Sequence, residues 1–87
     1  MSEESVIDFP CDFPIKMMGR DTPKFRLTAR LLVENHVGPI AEESIKINLS
    51  GKGNFVSVTV TVTATSQQQL DDIYRDVSAH DDVLMAL

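Results

Sequence analysis

Segment 50–54, Ser-Gly-Lys-Gly-Asn, contains the residue types that bind phosphate in nucleotide-binding loops. A dinucleotide-binding loop requires a third glycine and a following helix, but this chain has Val56 at that position and then a strand-like alternation. A P-loop requires Ser or Thr after the lysine, where this chain has Gly53. We therefore interpret the segment as a hairpin turn in which the glycines and Asn54 tolerate positive φ. A small anion site, formed by backbone N–H groups beside Lys52, stays open as the alternative.

Side chains that perform catalysis or bind metals do not occur in recognisable sets. No Ser/His/Asp or Cys/His arrangement has a familiar spacing, and the two histidines and the cysteine lack the short spacings of zinc ligands. His80-Asp81-Asp82 could supply metal ligands, but a helix end followed by a turn explains these residues as well. Glu42 and Glu43 are expected to be neighbours on a strand, where they would point to opposite faces. We therefore predict a protein that is not an enzyme and has no metal site and no cofactor.

The composition describes a small acidic protein. Its 87 residues suffice for one domain with a thin core, so self-association would bury more surface. The net charge of −5, from 13 acidic and 8 basic side chains, disfavours nucleic acid as a partner. The single Cys11 excludes an intramolecular disulfide and is compatible with a reducing compartment. No apolar run approaches the roughly 20 residues that span a bilayer, and the acidic start lacks the features of a signal peptide, so we expect a cytoplasmic protein that does not act at a membrane.

Apolar spacing and helix-capping residues predict alternating strands and helices. Thr22 followed by Pro23 is typical of a helix start, and Gly38-Pro39 of a helix end. Segment 66–69, Ser-Gln-Gln-Gln, has the spacing of a capping box. The alternation of valines and threonines after Phe55 is the clearest strand signal. The predicted order is a flexible acidic tail (1–8), an extended lead-in (9–14), strand (15–18), helix (23–37), strand (40–49), turn (50–54), strand (55–65), helix (67–80) and strand (83–87).

This order predicts an α+β, ferredoxin-like βαββαβ domain over residues 9–87. In this topology a four-stranded antiparallel sheet has both helices on one face, and the first and third strands are central. The valines of the third strand are expected to face the helices, which leaves Phe55, Ser57 and the threonines on an open face. Because side chains alternate along a strand, we also expect Lys16 on this open face.

Two other binding functions use the exposed surfaces of the same fold. A single-stranded RNA-binding sheet stacks bases on aromatic side chains of its central strands, and Phe55 is the only aromatic residue on this face of the third strand. A protein adaptor would pair the edge of the second strand with its partner. Glu42, Glu43 and Lys46 are expected to protect that edge.

Spaced blocks of residues run through most of the chain. They are Phe9-Pro10-x-x-Phe13-x-x-Lys16-x-x-Gly19, then Ser50-x-Lys52-Gly53-Asn54-Phe55-x-Ser57-Val58-x-Val60, and finally Ile73-Tyr74 with Val83-x-Met85-x-Leu87. Together they resemble the YbeD family of small bacterial cytoplasmic proteins of unknown function, and the resemblance covers residues 9–87. The family usually has Tyr where this chain has Phe55, and it has the serine that is Ser50 here.

The resemblance implies a ferredoxin-like domain similar to ACT regulatory domains. ACT domains bind amino acids or similar small effectors, usually at subunit interfaces near the first strand–helix turn, which is segment 18–21 here. Genes of the family often lie beside genes of lipoate biosynthesis, which implies a link to lipoate metabolism. No catalytic residues are known for the family. We therefore expect a non-enzymatic regulatory or binding domain, ACT-like, whose partner is a small-molecule effector, a protein or a second copy of the chain.

The candidate ligand or partner surface lies where the open face meets the hairpin loop and the first strand–helix turn. A polar face that carries a lysine is suited to a small anion or to a protein partner. The surface consists of Lys16, Gly19, Arg20, Ser50, Lys52, Gly53, Asn54, Phe55 and Ser57.

Overall fold

The structure, a computed structural model, describes residues 8–87 and has the predicted βαββαβ order. Its elements are β1 (Cys11–Arg20), α1 (Pro23–Val37), β2 (Ile45–Ser50), β3 (Phe55–Ala64), α2 (Gln67–Ala79) and β4 (Met85–Ala86). The strands form one antiparallel sheet in the order β2-β3-β1-β4, so the predicted central pair, β1 and β3, is confirmed. The predicted acidic tail, apart from Asp8, falls outside the described residues.

The core lies between one face of the sheet and the two helices. The four valines of β3 from Val56 to Val62 are at most 4% exposed, and they face the helices as the alternation predicts. Burying a side chain of this size contributes about 1.5–3 kcal/mol, so this layer fixes both helices to one face and leaves the other face open. The remaining buried apolar side chains of the strands and helices include Ile15, Met17, Phe25, Ala29, Val33, Leu70, Ile73 and Val77.

Both helices begin at the predicted capping residues. Thr22 Oγ1 accepts a hydrogen bond of 3.0 Å from the N–H three residues later, and Pro23 lies in the first helical turn. Ser66 Oγ accepts from the N–H of Gln69 at 3.1 Å. The Gln69 side chain accepts from the N–H of Thr65 at 2.8 Å, one residue before the position that a capping box predicts. Within residues 8–87, no helix is long and apolar enough to cross a membrane.

β1 begins at Cys11, whereas the sequence predicts an extended lead-in and a strand only from Ile15. The N–H and carbonyl of Lys16 both bond to Leu87, at 3.2 and 2.8 Å, so every second residue of β1 turns its N–H towards β4. Pro14 lies two residues earlier and turns its ring nitrogen to the same side, beyond the end of β4. No N–H is needed there, and the proline is therefore compatible with the strand.

β2 is shorter than predicted. A strand over residues 40–49 was expected, but β2 starts at Ile45 and is preceded by a 3₁₀ turn, Glu42–Ser44. The expectation that Glu42 and Glu43 lie on a strand, point to opposite faces and protect its edge is therefore wrong.

A hydrogen-bond network explains why the chain turns before β2. Glu34 Oε2 accepts from the N–H of Ile40 at 2.9 Å and from Arg30 Nε at 3.2 Å. Arg30 also donates to the Ile40 carbonyl at 2.9 Å and to Glu42 Oε2 at 3.1 Å. The pKa of Glu34 is lowered below its usual value. The hydrogen bond from the Ile40 N–H has the larger effect, and the hydrogen bond from Arg30 has the smaller one. The backbone groups of Ile40 are thus bonded to α1 side chains instead of to β3.

β4 is the predicted last strand, reduced to Met85–Ala86. Backbone pairing with β1 continues on both sides of it, since Leu84 N donates to Met18 O at 2.8 Å and Leu87 pairs with Lys16. The Tyr74 hydroxyl donates to the Leu87 carbonyl at 2.8 Å, which joins this end of the sheet to α2. Burial raises the pKa of Tyr74.

Candidate functional site

The register of the sheet arranges the open-face residues in rows across β2, β3 and β1. Directly opposite residues on neighbouring strands have Cβ atoms about 4.5–5.5 Å apart. Towards the hairpin loop, the rows are Lys46–Thr59–Lys16, Asn48–Ser57–Met18 and Ser50–Phe55–Arg20. The predicted position of Lys16, on the open face near Ser57 and Thr59, is confirmed.

Arg20 and Phe55 form the end of this face nearest the loop. The guanidinium carbon of Arg20 lies 5.6 Å from the centroid of the Phe55 ring, which is a cation–π contact. Gly51 approaches the same ring so closely that an added Cβ would lie 2.6 Å from Phe55 Cδ2. Arg20 and Gly51 therefore both restrict the position of the ring.

Ser57 is a buried polar residue in the middle row of the open face. It is 5% exposed, and within the described chain its Oγ has no hydrogen-bond partner. A buried hydroxyl without a partner costs about 1–3 kcal/mol. Its neighbours across the sheet are Met18 on β1 and Asn48 on β2. The hydroxyl is therefore a donor that the described residues do not use.

The cations of the open face and hairpin differ from those of the helices. Of the 8 lysines and arginines, those on α1 and α2 form ion pairs with N–O distances from 2.9 to 3.9 Å; they are Lys24, Arg26, Arg30 and Arg75. Among residues 8–87, no ion pair is formed by the cations of the strands and hairpin, which are Lys16, Arg20, Lys46 and Lys52. Asp12, the acidic residue of β1, accepts from Thr63 Oγ1 at 3.2 Å, further from the loop than these rows. The open face is thus locally cationic in an acidic chain.

The hairpin loop is a turn, as predicted, but the backbone angles are distributed differently. Gly51, Lys52 and Gly53 have φ of 60°, 61° and 85°. Asn54, which was expected to tolerate positive φ, has φ −80°. Its carbonyl accepts from the N–H of Asp21 at 3.1 Å, which connects the loop to the β1–α1 turn. The loop and the first strand–helix turn are therefore neighbours, as the candidate surface requires.

Gly19 lies on the helix side of the sheet, not on the open face with the other candidate residues of β1. It is buried, and an added Cβ would lie 2.6 Å from Phe25 Cε1 and 2.7 Å from the Asp82 carbonyl oxygen. Gly19 therefore permits the close approach of α1. The pocket beside this turn, where an ACT-like domain would hold its effector, contains two aspartates that disfavour an anion; its lining is Arg20, Thr22, Phe25, Asp81, Asp82 and Leu84.

Sequence reasoning missed Lys46 as a member of the site. It lies across Thr59 from Lys16, so the two lysines flank the central strand. Alternation along the second strand does place Lys46 on the outer face, but it does not fix the register against the third strand. The row could be recognised only once that register was known.

Both histidines form contacts that have a structural role. His36 Nε2 lies 2.6 Å from Asp76 Oδ2 and joins α1 to α2. His80 Nδ1 accepts from the N–H of Asp82 at 3.1 Å, so the segment 80–82 forms a local turn. Residues 8–87 contain no group of three or more His, Cys, Asp or Glu side chains that could hold a metal ion.

A second exposed surface, the α1–β2 groove, is apolar. Leu27 and Leu31 of α1 are 57% and 48% exposed, and Ile47 and Leu49 of β2 are 42% and 59% exposed. The apolar side chains of β2 face the helix side of the sheet, but α1 leaves Ile47 and Leu49 about half exposed. Because the glutamates precede β2, Lys46 is the charged residue within this edge strand.

Known proteins similar to this chain share a family and a fold. Residues 4–87 match the sequence profile of a family described as "Protein of unknown function (DUF493)". A UPF0250 protein of Paraburkholderia phymatum is 43% identical over 84 residues, which cover 97% of this chain and 94% of the relative. A UPF0250 protein of Nitrosomonas europaea is 37% identical over 87 residues and covers 100% of both chains. The solution structure of protein HP0495 from H. pylori has a TM-score of 0.75 at 22% identity, covering 99% of this chain and 90% of that chain, and therefore has the same fold.

Proposed function

The chain belongs to the DUF493 family, as its YbeD resemblance indicated, and we propose that it is a non-enzymatic binding domain whose open sheet face binds an anionic effector or partner. The observation that carries this proposal is the separation of charges. The helices carry cations that are neutralised by carboxylates, whereas the open face and hairpin carry cations that form no ion pair within residues 8–87. An ACT-like regulatory role, a cytoplasmic location and a link to lipoate metabolism stay predictions from sequence and resemblance.

Electrostatic attraction supports an anion at this face more than at any part of the helix layer. Lys16 and Arg20 on β1 and Lys46 on β2 lie on one surface on either side of β3, so their fields add. The positive side chains of the helices are already compensated by aspartates and glutamates. An anionic group that lies across β1, β3 and β2 therefore loses water but gains charge-assisted hydrogen bonds.

Single-stranded RNA is a less suitable anion for this face than a small effector or an acidic protein segment. Base stacking requires an accessible aromatic ring face. The ring of Phe55 is in contact with Arg20 and is approached by Gly51. The open face thus offers charge without a free stacking platform.

Chemical-shift mapping tests the proposal directly. The ¹⁵N-labelled protein is titrated with the small-molecule fraction of an extract from its own host, and amide shifts are assigned. We expect the shifts to concentrate at Lys16, Arg20, Lys46 and Ser57. The same titration is made with the protein fraction of the extract. Shifts confined to α1 and α2, or a spectrum that neither fraction changes, would contradict the proposal.

The α1–β2 groove favours a second function, assembly of two copies through the β2 edge. An antiparallel pair of β2 strands about a two-fold axis at Ile47 or Asn48 would oppose Lys46 to Asn48 or Ser50 of the second copy, so no like charges meet. The same pairing would cover Ile47 and Leu49 and satisfy the outer backbone groups of the edge.

Light scattering after size-exclusion chromatography tests this assembly. We expect a concentration-dependent dimer that Leu49→Lys dissociates. Leu84→Lys is the matched control, because Leu84 is 60% exposed, as Leu49 is at 59%, but lies beside β4. A monomer at all concentrations, or equal effects of the two variants, would exclude assembly through β2.

A further inference from the structure

We propose that the open face contains a phosphate subsite over Ser57, bounded by Lys16 and Lys46, and that its ligand is a small metabolite carrying a phosphate monoester. This inference rests on the proposed function of the open face and names the chemical class that the face would bind. It concerns the sheet itself, and not the Gly51–Gly53 loop that the sequence first suggested.

The register brings donors from three strands towards one point. Strands lie about 4.8 Å apart, so the Cα atoms of Lys16 and Lys46, on either side of Thr59, are separated by about 10 Å. Ser57 lies on the same face, two residues along β3 from Thr59, which is about 7 Å. Lysine stems are long and flexible enough for both ammonium groups to reach an anion placed above Ser57 and Thr59.

The donor set fits a tetrahedral dianion better than a planar carboxylate. Lys16 and Lys46 are attached to strands on opposite sides of β3, and Ser57 belongs to β3 itself, so the three groups could bind one anion from different directions. Phosphate directs oxygens out of a single plane and carries up to two negative charges, so it can accept from all three groups. Neither lysine has a carboxylate partner within residues 8–87, so the positive charge is uncompensated there.

Because the Ser57 hydroxyl is buried, the neighbouring side chains that shield it from solvent must move when the ligand binds. The neighbours on the two sides are Met18 and Asn48. Both are unbranched at Cβ and can change rotamer more easily than a β-branched residue. The ligand would give the hydroxyl the acceptor that the described residues do not provide, so the Ser57 hydroxyl would contribute to binding although it does not stabilise the free protein and, being unpaired, costs stability there.

The experiment titrates the ¹⁵N-labelled protein with inorganic phosphate, glycerol 3-phosphate and acetate at equal ionic strength. We expect saturable amide shifts at Lys16, Lys46 and Ser57 with both phosphates, and tighter binding of the monoester than of inorganic phosphate. Acetate is expected to give no saturable shift. Binding of inorganic phosphate with no gain for the monoester would overturn the assignment to a metabolite ester.

The Ser57→Ala variant tests the role of the hydroxyl. We expect roughly 10-fold weaker binding of glycerol 3-phosphate, the effect of one hydrogen bond to a charged group, with an unchanged or higher Tm of the free protein. Thr61→Val is the matched control, since Thr61 lies further along the same face of β3 and is exposed. Equal affinity of Ser57→Ala and the unmodified protein would overturn the subsite.

The two proposals fail in different ways. The phosphate subsite alone is overturned if neither phosphate gives saturable shifts, or if acetate binds equally well, while extract ligands still shift the open face. Both proposals are overturned if phosphates and extract ligands shift only the helix layer.

Discussion

Gly19 shows how a single residue decides the distance between a helix and the sheet. Its Cα faces the ring of Phe25 and the carbonyl of Asp82, and an added Cβ would lie 2.6 and 2.7 Å from them. Atoms this close must separate, and one of them belongs to the backbone. The glycine is therefore explained by packing on the helix side of β1, and not by ligand binding on the open face.

Gly19→Ala is expected to lower the free energy of unfolding by about 3 kcal/mol, because α1 and the 80–82 turn must both move. Gly53→Ala is the comparison, since nothing lies within 4 Å of its added Cβ. Its cost is confined to the positive φ, about 1 kcal/mol. Urea denaturation of the two variants measures the difference. An alanine at position 19 that is tolerated as well as one at position 53 would contradict this explanation.

The candidate site was only partly predictable at the level of residues. Alternation sufficed to place Lys16 and Ser57 on the open face, because the side-chain period of a strand is two. Gly19 was assigned to the same surface through its neighbourhood in sequence, although alternation alone places it with Met17 on the inner face. The partnership of Lys16 with Lys46 depends on the register between strands, which the pattern of one strand does not contain.

At the level of elements, the connection between α1 and β2 differs most from the sequence prediction. The apolar pattern from Ile40 onward is that of a strand, and Ile40 is indeed buried. Its backbone, however, bonds to Glu34 and Arg30 of α1. Such side-chain contacts between residues six and ten positions apart are not visible in a period-two pattern. The helices were more predictable, because Thr22 and Ser66 are local capping signals.

This connection makes stability depend on pH through Glu34. Its pKa is lowered in the folded state, first by the Ile40 N–H and then by Arg30. A carboxyl whose folded pKa is depressed stabilises the protein above its unfolded pKa, and this contribution is lost as the pH falls through the folded pKa. We therefore expect the free energy of unfolding to decrease as the pH falls below about 4.5, the ordinary value of Glu34.

Glu34→Gln isolates this contribution, because the amide oxygen can still accept from Ile40 N–H but carries no charge. The variant is expected to be less stable than the unmodified protein at pH 7 and to lose less stability on acidification. Glu43→Gln is the matched control from the following turn, where Glu43 is exposed. Urea denaturation between pH 3 and pH 7 measures both slopes. Parallel curves for Glu34→Gln and the unmodified protein would rule out this role for Glu34.

On the scale of the whole molecule, the fold separates charges that the composition averages. The net charge of −5 disfavoured nucleic acid as a partner, but it does not describe the local charge of the open face. The helix layer contains the ion-paired cations, and the strands and hairpin contain the others. The βαββαβ topology was predictable because each element has a strong local pattern, whereas the charge of one face requires the arrangement of all strands.

The most direct test of the central claim compares two triple variants with the same change in net charge. Lys16→Ala/Arg20→Ala/Lys46→Ala removes cations from the open face, and Lys24→Ala/Arg26→Ala/Arg75→Ala removes cations from the helices. Each variant is titrated with the anionic fraction of the host extract, and the heat of binding is measured by isothermal titration calorimetry at two salt concentrations.

The account predicts that the open-face variant loses binding and its salt dependence, and that the helix variant retains both. Equal loss in the two variants would show that only net charge matters. Loss confined to the helix variant would place the binding surface on the opposite side of the protein. Either of these two results would contradict the claim that the open sheet face is the binding surface.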